Sequence, residues 1–221
     1  MHLGKSISIK PFALLAAVLL AFITLAVPPP VLAAKKQVIK FASLAPEGTT
    51  WMRIMRKLDK DMRKATKKAV RFRIYPGGVS GNEKDVVRKL RIGQLHAAGF
   101  TGVGLGELLP AARLFELPFF FQSYEEVDAV HKALDPWYEA EFRKKGWVLL
   151  GWSEVGFAHF FSKNPIVASR DLAGQKVWMW EGDPLARAYF SAIGVRPIPL
   201  AVTDVLTSLQ TGLIDTVYIS P

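Results

Sequence analysis

The stretch KKQVIKFASLAPEGTTWMRIMRKLDKDMRKATKKAVRFRIYPGG, residues 35–78, decides the fold class. Lys35 to Leu44 alternates around Val38 and predicts a strand, closed by a turn at Ala45-Pro46-Glu47-Gly48. Thr49 or Thr50 can cap a helix whose apolar side chains Trp51, Ile54, Met55, Leu58, Met62 and Ala65 recur three or four apart. Its other face carries Arg53, Arg56, Lys57, Lys60, Arg63, Lys64, Lys67 and Lys68. Val70 to Tyr75 then alternates strictly, a half-buried strand ended by Pro76-Gly77-Gly78.

The rest of the chain extends this strand–helix–strand pattern. Ser80 with Glu83 reads as a capping box for a helix through Val86, Val87 and Leu90, and a short strand follows at Leu95 to Phe100. Ser123 and Glu126 repeat the box and open a helix to about Lys145. Strands are expected at Trp147 to Ser153, Phe157 to Ser162, Lys176 to Trp180 and Ile214 to Ile219. Asp183-Pro184 starts a helix with a cap and a first-turn Pro, and Thr203 caps another over Asp204 to Thr211. Such alternation implies an α/β fold with a largely parallel sheet flanked by helices, whose ligands bind at the carboxyl ends of strands.

Composition narrows the function classes. The 221 residues include no cysteine, which excludes a disulfide scaffold, a thiolate nucleophile, an iron–sulfur cluster and a lipid-modified N-terminal Cys. Residues 1–33 read as an export signal: Lys5 and Lys10 precede an apolar run from Phe12 to Val27, too short for a membrane span and closed by Pro28-Pro29-Pro30. Export predicts a periplasmic location. The 29 Lys plus Arg outnumber the 19 Asp plus Glu, but unevenly: residues 35–98 hold 17 cations against 5 carboxylates, and 99–221 hold 10 against 14.

No catalytic constellation emerges, so no enzyme is expected. His96, His131 and His159 share no helical ligand spacing, so no metal site is expected. Gly102-Val103-Gly104-Leu105-Gly106 matches neither a dinucleotide fingerprint nor a phosphate loop, so no cofactor is expected. The basic helix suits a solvated face, an anionic partner or a membrane surface; no nucleic-acid partner is expected for an exported chain.

Four segments carry a family resemblance: Phe115-Glu116-Leu117-Pro118-Phe119-Phe120-Phe121, Asp171-Leu172-Ala173-Gly174-Gln175-Lys176-Val177, Ala192-Ile193-Gly194-Val195-Arg196-Pro197-Ile198-Pro199-Leu200, and Leu209-Gln210-Thr211-Gly212-Leu213-Ile214-Asp215. Over about residues 36–221 the chain resembles the solute-binding proteins of TRAP transporters, the DctP family. The resemblance implies a two-lobed periplasmic solute-binding fold, with a sheet flanked by helices in each lobe. The first lobe would be 34–155 and the second 156–221. It implies a receptor that takes a small molecule between its lobes and delivers it to TRAP permease membrane subunits. Family chains run past the point equivalent to Pro221, so the second lobe is expected to be incomplete.

Two family positions differ in kind. The Arg with which relatives grip a carboxylate falls on Trp178 or Met179, and a second family Arg falls on Ala158. A carboxylate without a cation is costly to bury. The resemblance therefore implies an apolar, aromatic or lipid-like ligand against Trp178, Trp180 and Tyr218, or a cation held over the ring faces with Glu181 or Asp183 nearby, and with Phe119, Trp51 and Ala158 completing the site. On this reading Trp178→Arg abolishes binding without unfolding. The opposing readings are that the two Trp are core, or that Arg113, Arg170, Arg187 or Arg196 replaces the lost Arg and the ligand is an organic acid. The Trp-x-Trp-Glu-Gly-Asp-Pro segment also resembles receptors that work beside tetratricopeptide-repeat proteins, implying such a protein as a further partner. The alternative from another class is a shortened interaction protein that uses its basic face.

Overall fold

A computed structural model describes residues 36–220. The expected signal, residues 1–33, lies outside them.

The first three strands form one parallel sheet in the order β2-β1-β3, with β1 Gln37–Ser43, β2 Val70–Tyr75 and β3 Ala97–Gly99. Helix α1, Thr50–Ala65, connects β1 to β2 and starts where the Thr49 hydroxyl accepts the Met52 N–H. Its apolar stripe is only partly used. Met52 is buried and Met55 and Met62 are half-buried, but Trp51, Ile54 and Leu58 are exposed, because no described element packs on that side.

Helix α2, Glu83–Arg91, corrects one expectation. Its cap is Asn82, in a capping box with Asp85, and not Ser80 with Glu83. Glu83 is drawn inward, where its carboxylate accepts from the N–H and hydroxyl of Thr101 and from the Gly104 N–H. Those bonds fix the start of α3, Gly102–Leu108, which runs into a 3₁₀ turn at Pro110–Glu116. The glycines of this segment serve close packing: a side chain at Gly102 would collide with the Glu116 carboxylate, and one at Gly106 would press on the Arg113 stem.

Helix α4, Tyr124–Lys144, begins at Ser123 as expected and keeps Pro136 inside it. Tyr138 and Phe142 from α4 join Val87, Leu108, Leu109 and Ala112 in the first core. Phe115 is the hub of its aromatic border, stacked on His131 at 4.0 Å and tilted against Trp152 at 5.5 Å. The strand expected at Trp147 to Ser153 does not form. Its alternation is there, Trp147 and Leu149 half-buried against Val148 and Leu150 exposed, but no described strand lies alongside to complete a ladder.

The remaining strands are short: β4 His159–Ser162, β5 Trp178–Trp180, β6 Ile198–Leu200 and β7 Thr216–Ile219. β5 pairs with β6 in parallel and β4 with β7 antiparallel, and a bridge between Val177 and Thr216 ties the pairs together. Helix α5, Pro184–Ala192, covers one side through Ala186 and Phe190, which pack with Leu172, Val177 and Met179. On the other side Trp178, Ile214 and Val217 pack with Leu209 from α6, Val205–Thr211. The expected Thr203 cap is replaced by a 3₁₀ turn at Val202–Asp204.

Candidate functional site

The two sets of strands meet around one guanidinium. Arg113, in the 3₁₀ turn after α3, donates to Asp183 Oδ2 at 3.0 Å, and its Nε lies 2.6 Å from Glu116 Oε2. Asp183 is well placed for this: as the cap of α5 its Oδ1 accepts from the N–H groups of Leu185 and Ala186, leaving Oδ2 for Arg113. Glu116 also accepts the Gly102 N–H at 3.1 Å. The Arg113 and Asp183 side chains are 15% and 5% exposed, so the pair is largely shielded from water.

Burial and charge set the protonation behaviour here. Partial burial pushes the Glu116 carboxyl above its ordinary value, although its side chain stays 40% exposed and Arg113 pulls it back. Burial works to lower the Arg113 value, but the Asp183 hydrogen bond and the Glu116 and Asp183 charges outweigh it, so the guanidinium is held more firmly charged. Burial also pushes the Tyr218 hydroxyl up to about 12, so it remains a neutral hydrogen-bonding group.

Aromatic rings border this cluster. Tyr218 stacks on Trp178 at 5.3 Å, and Trp178 is tilted against Trp180 at 5.7 Å. The Tyr218 hydroxyl accepts the Trp180 backbone N–H at 3.4 Å. Trp178 itself is 2% exposed and its indole N–H is spent on the Leu200 carbonyl, so it is a core residue. That placement corrects the expectation for Trp178→Arg: a guanidinium here would be buried without a carboxylate, and unfolding follows. Trp180 and Tyr218 are half-buried and stand closer to the surface.

The other expected residues are not gathered into this cluster. Glu181 is exposed and makes only a backbone bond to Leu200. Ala158 is exposed just before β4, and Trp51 is exposed on α1. Phe119 is 77% exposed, with its ring 6.2 Å from Tyr189. Of the four candidate replacement cations, Arg170, Arg187 and Arg196 are exposed and Arg113 alone is enclosed. Glu116 was not singled out from sequence; its three-residue spacing from Arg113 was the available signal. Among the described residues, no group of three or more His, Asp or Glu gathers as a metal site.

Known proteins of this build have related sequences. The model of the bacterial extracellular solute-binding protein family 7, DctP, matches residues 41–217. A solute-binding protein of Roseobacter denitrificans is 27% identical over 184 residues, covering 82% of this chain and 56% of the relative. The C4-dicarboxylate-binding periplasmic protein DctP of Rhodobacter capsulatus is 26% identical, covering 80% of this chain and 54% of the relative. The chain spans about half the length of the curated relatives it matches. Among solved structures, a TRAP periplasmic solute-binding protein from Sulfurospirillum deleyianum with bound succinate superposes with a TM-score of 0.74 at 27% identity, covering 84% of this chain and 60% of that one. One from Citrobacter koseri with bound D-glucuronate gives 0.70 at 27%, covering 82% and 62%. With most of its length matched and its α/β architecture shared, the chain belongs to the DctP family of bacterial extracellular solute-binding proteins.

Proposed function

We propose that the chain serves as the solute-binding receptor of a TRAP-type transporter. It acts in the periplasm after removal of a signal at 1–33, holds one small molecule between lobes 34–155 and 156–221, and hands it to membrane permease subunits. The ligand is small and apolar or aromatic, set against Trp180 and Tyr218. One observation carries this ligand class: Arg113, the single enclosed guanidinium among the described residues, already lies between two carboxylates, Glu116 and Asp183. An incoming carboxylate would meet more negative charge than positive there, and the family's own Arg positions hold Trp178 or Met179 and Ala158.

A second reading has its own support. Relatives have been solved with succinate and with D-glucuronate, and Arg113 is the one candidate Arg at the junction. In that case the ligand is an organic acid that displaces Asp183 from Arg113.

Native mass spectrometry of the purified chain, with extraction of co-purified small molecules, separates the two. Indole, succinate and glucuronate titrated against tryptophan fluorescence then give relative affinities. The apolar reading expects indole to bind and both acids to leave the signal unchanged. A tightly held dicarboxylate or uronate, with affinity lost in Arg113→Gln, replaces it with the second.

A further inference from the structure

Helix α1 presents two adjacent rows of side chains to solvent. The first row, Trp51, Ile54, Leu58, Asp61 and Ala65, is apolar except at Asp61, and Trp51, Ile54 and Leu58 are 38%, 56% and 41% exposed. The second row, Arg53, Lys57, Lys60 and Lys64, has the same three-and-four spacing and is cationic throughout. Met52 is buried and Met55 and Met62 are half-buried on the side that faces the protein.

Half the cations of this segment have no partner among the described residues. Between Arg53 and Lys68 stand eight Lys or Arg and two Asp. Arg56, Lys57 and Arg63 reach Glu47, Asp61 and Asp59. Arg53 bonds to the Gly48 carbonyl and the Thr50 hydroxyl. Lys60, Lys64, Lys67 and Lys68 make no ion pair among the described residues. Lys67 and Lys68 have φ of 49° and 65°, the left-handed region that glycine occupies with less strain, so the helix end carries two further charges where backbone preference would not put them.

We propose that α1 docks the chain on an anionic phospholipid bilayer. The apolar row enters the boundary between headgroups and acyl chains, and the lysine row alongside contacts the phosphates. An acidic protein would need an apolar patch aligned beside its carboxylates to answer both rows. A bilayer answers both rows along one line, since its surface potential attracts the lysines while its interior takes Trp51, Ile54 and Leu58. None of these residues belongs to the Arg113 junction, so docking is independent of the ligand proposed above.

Co-sedimentation of the full chain with phosphatidylcholine vesicles, with and without phosphatidylglycerol, tests this. Binding is expected to the anionic vesicles, to be far weaker on phosphatidylcholine alone, and to fall steeply with added salt. The combined variant Lys57→Gln, Lys60→Gln and Lys64→Gln lowers the partition roughly 100-fold, about fivefold per lysine. Ile54→Ser with Leu58→Ser lowers it about tenfold or more. Circular dichroism of each variant establishes that the fold is kept. Equal binding to both vesicles that survives the lysine variant assigns the contact to the apolar run at 12–27 and overturns the proposal. So does capture of an acidic protein by a chain that ignores vesicles.

Discussion

Arg113 and the lysines at and just after α1 are two cationic centres among the described residues, and they differ in what surrounds them. Arg113 is enclosed by Glu116 and Asp183, its charge answered within the protein. Lys60, Lys64, Lys67 and Lys68 face solvent with no carboxylate in reach among the described residues. The same type of charge is an internal strut in one place and free for an external partner in the other. An overall excess of Lys and Arg over Asp and Glu therefore says little until each cation is located. Substitutions at the two centres should differ sharply in their effect on stability.

The largest effect is expected where a new cation enters the enclosed region. Trp178→Arg replaces a ring that is 2% exposed with an unpaired buried charge. The cost is roughly 5 kcal/mol or more, most of the stability of an ordinary domain. Urea denaturation followed by circular dichroism should find the variant largely unfolded. A folded variant of near-normal stability would mean that position 178 opens to water.

Next comes the removal of a partner from the existing cation. Asp183→Ala strips Arg113 of one carboxylate and α5 of its cap, at a cost of about 3–5 kcal/mol. Asp183→Asn keeps an oxygen for the Leu185 and Ala186 N–H groups and should recover about 1 kcal/mol of that. Equal denaturation midpoints for the two variants would show that the charge pair carries the whole effect and the cap none.

These long-range contacts mark where sequence reading stops. Periodicity was enough for β1, α1 and β2, and cap chemistry was enough for Ser123 and Asp183, because the forces there act within a turn or along one strand. It misassigned the cap of α2, because Glu83 is claimed by Thr101 and Gly104 some twenty residues on. It placed a strand at Trp147 to Ser153, since alternation records which side chains are covered and says nothing of a neighbouring backbone. The family resemblance was legible in four motifs. The Arg113–Asp183 pair, 70 residues apart in sequence, was not, nor was the burial of Trp178.

Glu116 gives a smaller effect with a distinct pH signature. Its carboxyl is raised above its ordinary value of 4.5 by burial, so the folded chain holds the proton more tightly than the unfolded chain. The resulting stabilisation is complete below pH 4.5 and is lost as pH rises through the folded-state value. Glu83, raised by burial as well, acts in the same direction. Glu116→Gln removes one of the two contributions, so its melting temperature should fall less steeply than that of the parent between pH 4.5 and neutrality. An unchanged slope would place the Glu116 carboxylate in water.

The smallest effect is expected at the free cations. Lys60 lies between Lys57 and Lys64 on the exposed face of α1, one turn from each, and makes no ion pair among the described residues. Lys60→Gln removes like-charge repulsion at both spacings and keeps a residue that favours helix, so each change is worth a few tenths of a kcal/mol. The net change should stay within about 0.5 kcal/mol and lean toward stabilisation at low ionic strength, fading as salt screens the neighbouring lysines. Denaturation midpoints at low and high salt measure both the size and the sign. A loss above about 1 kcal/mol would show that Lys60 has a partner inside the protein, and the contrast with Arg113 would then disappear.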